Sequence, residues 1–337
     1  MMEQRLTGLD GLRGLAALVV LLMHVGSGMQ GGHLAVDFFF MLSGYVMARA
    51  YEARLRQGTI GPADFVVARF RRFWPTMAIA ASLGGIAMAM ATGPSPALAI
   101  TYLAALLLIP SGPAMPYALN LPAWSIFYEL LANAGHAFGL SRLRTQSLVV
   151  LLVIAGIALA IVTALHGFPR ILSKTTPLMQ GLVLFRLLFS YIAGIVLFRL
   201  FKDKPPIRLP FTFGMLLLPA YVLLVAIWPF PGWQFPFIIV AAPIMIICGL
   251  NDRAPRRLSI ILGKMSFPLY ALHFPIMKLA VTNGIHSPAA VIAASIAVSA
   301  LWLVPWRQAM KRAGLGRMPG LISPGLVSKA DVTNCAR

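Results

Sequence analysis

LDGLRGLAALVVLLMHV, residues 9–25, is an apolar helix with one arginine near its start and one histidine near its end. Arg13 and His24 are eleven positions apart. Eleven steps of about 100° come back to within roughly 20° of the starting direction, so both side chains fall on one face, separated by about 16 Å of axial rise. Ionisable groups inside a bilayer cost several kcal/mol and turn toward a bundle interior or a wet cavity. The spacing therefore predicts that Arg13 and His24 line a shared conduit running from one side of a membrane toward the other.

Composition supports the membrane. Of 337 residues 59% are hydrophobic and 11% charged, with a mean hydropathy of +0.83, which a soluble domain would sustain only by exposing large apolar patches. Lys and Arg number 28 against nine Asp and Glu, a formal net charge of +19. Nucleic acid is the usual partner for such a balance. Here the basic residues sit in short loops between apolar runs, so cytoplasmic retention of positive charge explains them and no nucleic acid is expected. Cys248 and Cys335 are too few and too differently placed for a disulfide framework. The first apolar run is followed at once by a second, and reads as an uncleaved span rather than a signal peptide.

Apolar runs of about twenty residues place spans near 11–29, 33–51, 73–92, 120–140, 146–166, 179–201, 210–228, 234–250, 263–283 and 288–306. The expected fold is all-α, a polytopic membrane protein with about ten transmembrane helices around an intramembrane polar cavity. The run 97–110 is short and bounded by prolines, and reads as a re-entrant or interfacial helix on the outer side. With both termini inside, only Arg170 and Lys174 fall outside, Arg186 and Lys278 lie within spans, and every other basic residue is cytoplasmic. Residues 1–306 form the membrane domain, and 307–337 a basic, Gly/Pro-rich cytoplasmic tail expected to be poorly ordered.

This topology assigns depths. At 1.5 Å per residue in a core about 30 Å thick, His24 lies about 21 Å from the cytoplasmic start of its span, Asp37 about 6 Å and Glu129 about 13 Å from the outer surface, and His273 near the middle. Groups converging in one layer are expected to pair, with shifted proton affinities that suit acid–base chemistry. Each has a plainer reading. His24 and His273 can be packing histidines, Asp37 can cap its span, and Glu129 can serve a tertiary hydrogen bond. His136, near an inner helix end, reads as snorkelling, and Asp10 as the cap of the first helix. Ser43, in FFFMLSGY, puts a hydroxyl in the middle of the second span. Arg69, Arg71 and Arg72 in ARFRRFWP read as part of an interfacial helix over 64–73, facing either anionic lipid or a ligand with several phosphates. No metal-ligand set is expected.

Together these stretches resemble the acyltransferase 3 family, integral-membrane enzymes that O-acylate bacterial polysaccharides and other envelope acceptors. LDGLRG with His24 is similar to its Arg-x10-His signature, AVDFFFMLSGY to its second-span motif, ARFRRFWP to its cytoplasmic arginine motif, and WSIFYEL and FPLYALH to later span patterns. The resemblance implies that Arg13 and His24 are an essential pair and that arginines around Arg72 contact a cytoplasmic acyl-coenzyme A. It also implies a saccharide or lipid-linked saccharide acceptor presented at the outer side of the bacterial inner membrane. No fused hydrolase-like domain follows the last span, so a partner that matures the product is expected to be separate.

The reading that follows is transfer of an acyl group, acetyl foremost, from acyl-coenzyme A as a donor substrate, with no tightly bound cofactor. Arg13, Arg69, Arg71 and Arg72 hold the donor. His24, oriented by Glu129 or Asp37, acts as general base or carries an acyl-histidine intermediate. Tyr128, Tyr270 or Ser43 donates to the oxyanion, and His273 contributes to substrate binding. A proton-coupled transporter or flippase uses intramembrane His and Glu in the same way, although no repeat between halves is visible. A scaffold subunit of an export complex is a third class.

Overall fold

The computed structural model describes residues 5–26, 30–112, 115–172, 175–228, 232–251 and 254–312, and among them every regular element is a helix. In chain order these are α1 (Thr7–His24), α2 (Leu34–Arg56), α3 (Pro62–Thr92), α4 (Pro96–Leu106), α5 (Ala123–Phe138) and α6 (Thr145–His166). They continue with α7 (Pro177–Phe201), α8 (Phe211–Ile227), α9 (Gln234–Pro236), α10 (Ala242–Gly249), α11 (Arg256–Thr282) and α12 (Pro288–Arg312). A π-helical turn, Phe237–Ala241, joins α9 to α10.

Each of the ten predicted apolar runs folds as a helix, but among the described residues six have the length and apolarity to cross a membrane: Thr7–His24, Gly31–Arg56, Pro62–Thr92, Thr145–His166, Pro177–Phe201 and Arg256–Thr282. Of the remaining helices α4, α8 and the α9–α10 stretch Gln234–Gly249 are shorter, and α12 is apolar only over Pro288–Leu303. On α6 a broad face carrying Val150, Ile154, Ile157, Ile161 and Leu165 is more than half exposed. Such a face is stable only against lipid tails, and the chain is a multi-pass membrane protein.

Two expectations are corrected. The interfacial helix over 64–73 does not exist as a separate element: α3 runs unbroken from Pro62 through the arginines to Thr92 with Pro75 inside it. Pro75 removes one helical donor without ending the helix, and Arg69, the most buried of Arg69, Arg71 and Arg72, finds a carboxylate inside the bundle rather than needing the membrane surface. The chain also stays helical past residue 306, to Arg312, while the rest of the predicted tail lies outside the described residues. The run at 97–110 appears as α4, eleven residues with none buried, about 16 Å long and thus short of a bilayer. It is fixed to α3 by Trp74 Nε1 donating to the Leu106 carbonyl (2.9 Å) and by the Ser82–Tyr102 hydroxyl pair (2.9 Å).

Two close helix crossings position the site. Between α2 and α7, a Cβ on Gly44 would run into the Tyr191 carbonyl and one on Gly194 into the Met41 carbonyl, so the backbones touch where side chains would hold them apart. Between α1 and α11, Gly14 lies against Leu262 and Gly263 against Asp10. Gly194→Val should therefore destabilise the protein by about 1–3 kcal/mol through overpacking, read as a lower thermal midpoint in detergent. Gly181→Ala, on the same helix but facing open space, should leave the midpoint unchanged or slightly raised.

Candidate functional site

Arg13 is held by the helix that α1 packs on. Its Nε donates to Ser266 Oγ (2.9 Å) and its Nη2 to the Gly263 carbonyl (2.7 Å), both on α11. Asp10 does not cap α1. The helix begins at Thr7, and Asp10, one turn along, takes Arg5 Nε at 2.7 Å and lies 3.7 Å from Arg13 Nη2. The glycine at 263 is what lets Asp10 sit there, since any side chain would occupy the same space.

Arg13 opens onto a cavity of about 100 Å³ bounded by α1, α2, α3, α5 and α11. Its polar wall is Arg13, Ser43, Arg69, Arg72, Ser125, Glu129, Ser266 and Tyr270, and its apolar wall includes Phe39, Phe73 and Phe267. Glu129 Oε1 accepts from Ser43 Oγ (2.8 Å) and from Arg69 Nη2 (3.3 Å). Arg69 is buried, its guanidinium lies 5.0 Å from the Phe73 ring, and its Nε and Nη1 have no hydrogen-bond partner among the described residues. A buried guanidinium with unfilled donors is costly unless an anion meets it. Three guanidiniums share the wall with one carboxylate, which makes the cavity electropositive and fit for an anion.

The other predicted residues are elsewhere. Arg71 is exposed and off the cavity wall. The Tyr128 hydroxyl donates to the Gln180 carbonyl on α7. Asp37, instead of orienting His24, is fully buried in a two-pronged ion pair with Arg186, Nε to Oδ1 at 2.7 Å and Nη2 to Oδ2 at 2.8 Å. Arg186 also donates to the carbonyls of Pro169 (3.1 Å) and His33 (3.0 Å), and its guanidinium lies 4.7 Å from the Phe168 ring and 5.6 Å from the Trp124 ring. Asp37 thus ties α2 to α7 and to the segment before it. Glu129 is spent on Ser43 and Arg69. His136 does not snorkel, being fully buried with its ring edge-on to Tyr191 at 6.1 Å.

His24 meets His273. Its Nδ1 lies 3.0 Å from the Val20 carbonyl and 3.2 Å from His273 Nε2, with ring centroids 5.0 Å apart. Tyr270, on the cavity wall, has its ring 6.1 Å from that of His273 and its hydroxyl 2.6 Å from Ser125 Oγ. The histidine pair therefore adjoins the cavity through Tyr270. His24 itself is not part of the cavity wall, and Ala16, Ala17 and Val20, all buried, fill the α1 face between it and Arg13. The two do not share one open conduit here: they are two stations on one helix face, separated by packed apolar side chains.

Sequence reasoning missed Ser125, Ser266 and Arg186. The first two had a signal, since Ser125 precedes Glu129 by four residues and Ser266 precedes Tyr270 by four, which puts each pair on one helix face. Arg186 was visible as an intramembrane cation but its partner was not.

Residues 6–306 match the acyltransferase 3 family, whose domain is described as an acyltransferase domain. Of the curated relatives, "Protein 2 in picA locus" of Rhizobium radiobacter is 34% identical over 187 residues, covering 48% of this chain and 96% of that protein. "Putative membrane-bound transacylase BcsY" of Komagataeibacter xylinus is 40% identical over 75 residues, covering 22% of this chain and only 18% of that protein. No solved structure matches the chain.

Removing one partner from a buried ion pair leaves the other charge stranded, at about 3–5 kcal/mol. Asp37→Ala should therefore lower the thermal midpoint steeply, and the double variant Asp37→Leu with Arg186→Met should recover part of the loss, read by thermal unfolding of the purified protein.

Proposed function

The chain belongs to the acyltransferase 3 family, and from that premise we propose that it moves an acyl group, acetyl foremost, from acyl-coenzyme A to a hydroxyl of an envelope saccharide or lipid-linked saccharide. The observation that carries this reading is Arg69, buried beside Arg13 and Arg72 on a cavity wall with two donors unfilled. Phosphate oxygens match guanidinium geometry and charge. In this reading the donor's phosphates lie at the arginine cavity and its thin pantetheine arm passes Phe39, Phe267 and Tyr270 toward the histidine pair, which requires those side chains to part.

The chemistry falls to His24. A neutral imidazole nitrogen removes the proton of the acceptor hydroxyl, the oxygen attacks the thioester carbonyl, and the carbon–sulfur bond breaks. The imidazolium then returns its proton to the departing thiolate, giving ester and free coenzyme A. The low-dielectric surroundings strengthen any hydrogen bond offered to the developing oxyanion. Of the three predicted donors, Tyr270 is the one on the cavity wall and next to His273. We propose ten crossings of the bacterial inner membrane with both termini cytoplasmic, a topology that the basic loops at the inner ends of the spans support.

A proton-coupled transporter would use the same histidine pair as a relay. Purified protein in nanodiscs separates the two. The enzyme reading predicts release of free coenzyme A thiol from acetyl-coenzyme A in the presence of envelope glycan, reduced about 10²–10⁴-fold in His24→Ala. Arg69→Ala should raise KM for the donor more than it lowers kcat. Proton-driven uptake with no thiol release would overturn it.

A further inference from the structure

We infer that His273 is a positioning residue for His24, acting as the hydrogen-bond acceptor that fixes which nitrogen of His24 is free to take a proton. The inference rests on the proposed role of His24 as the base.

The assignment follows from acceptors that have no choice. His273 Nδ1 lies 3.0 Å from the Leu269 carbonyl one turn back on α11. A carbonyl oxygen only accepts, so His273 carries its hydrogen on Nδ1 and, when neutral, presents a bare lone pair on Nε2. His24 Nδ1 faces that lone pair at 3.2 Å and the Val20 carbonyl at 3.0 Å, two acceptors at once. A bare nitrogen there would be repelled by both, so the His24 hydrogen is on Nδ1, shared between them. A neutral imidazole has a single N–H, and Nε2 of His24 is therefore the basic nitrogen. His273 is fully buried, and the two rings lie at 42° with Phe274 edge-on to His24 at 5.4 Å, which restricts ring rotation.

The arrangement also stabilises the protonated state. When Nε2 of His24 takes the acceptor's proton, the imidazolium Nδ1–H strengthens its bond to His273 Nε2, and no second group has to ionise. Charge-assisted hydrogen bonds of this kind are about twice as strong as neutral ones. The orienting part expected of Asp37 or Glu129 is filled by a neutral ring from α11. His273 does not have to touch either substrate.

The test uses full-length protein in nanodiscs with ¹⁵N-labelled histidine. In the wild type, His24 at alkaline pH should show the Nδ1–H tautomer, identified by the signal lost in His24→Ala. His273→Phe keeps the ring volume and removes the acceptor. It should shift His24 toward the Nε2–H tautomer and lower kcat at least about 10-fold, with KM for acetyl-coenzyme A within about twofold. His273→Gln, whose amide oxygen reaches the position of Nε2, should restore most of kcat. A wild-type His24 in the Nε2–H form, or an unchanged tautomer and kcat in His273→Phe, overturns the inference. If instead His24→Ala retains full transfer, the proposed role of His24 fails, while the tautomer spectra still report on the pair. Should His273→Phe not fold, the wild-type spectrum and His273→Gln decide.

Discussion

The nearness of α1 to α11 is the constraint from which the site follows. Gly14 and Gly263 remove the side chains that would hold the two backbones apart. At that distance Arg13 reaches the Gly263 carbonyl and Ser266, and Asp10 fits against Gly263 while binding Arg5. Further along the same pair of helices, His24 and His273 come within hydrogen-bonding distance. One crossing thus fixes both stations, the guanidinium at the cavity and the imidazole pair beyond it. A bulkier residue at either glycine would disturb the two together.

The second crossing, of α2 with α7, serves the other wall. Gly44 and Gly194 bring these helices into contact, next to Ser43, which donates to Glu129. At one end Asp37 and Arg186 lock α2 to α7. At the other, Tyr45 and Arg49 hold Asp203 in a left-handed turn (φ 65°) just past α7. The Asp37–Arg186 pair is fully buried, and its two-pronged geometry is what makes it tolerable in a low-dielectric interior. Glu129 is then free of structural duty at the helix ends and holds Arg69 in the cavity wall.

Much of this was legible in the sequence because the bilayer makes hydropathy a ruler. Runs of about twenty apolar residues mark helices wherever lipid surrounds them, and the predicted runs folded as helices. His24 and His273, which span length puts in one layer, do meet. Asp37 and Glu129 do not join the histidines, because depth is one coordinate and the rotation of each helix about its axis is another. Asp37 faces α7, where Arg186 stands 149 positions away in the chain. The continuity of α3 was obscured by Pro75 and by three arginines that look like a membrane-surface cluster until a buried carboxylate is found for Arg69. Periodicity alone does not make a shared conduit. Angular agreement puts two side chains on one face without saying whether the space between them is open, and here alanines and a valine fill it.

The proposed transfer requires the arginine cavity to hold the donor's anionic end. A structure of the protein in nanodiscs with bound coenzyme A tests this most directly. Phosphate oxygens within ion-pair distance of Arg69 Nε or Nη1, with the thiol end directed past Tyr270 toward His24, is the predicted result. Coenzyme A bound away from Arg13, Arg69 and Arg72, or with its thiol turned from the histidine pair, would contradict it.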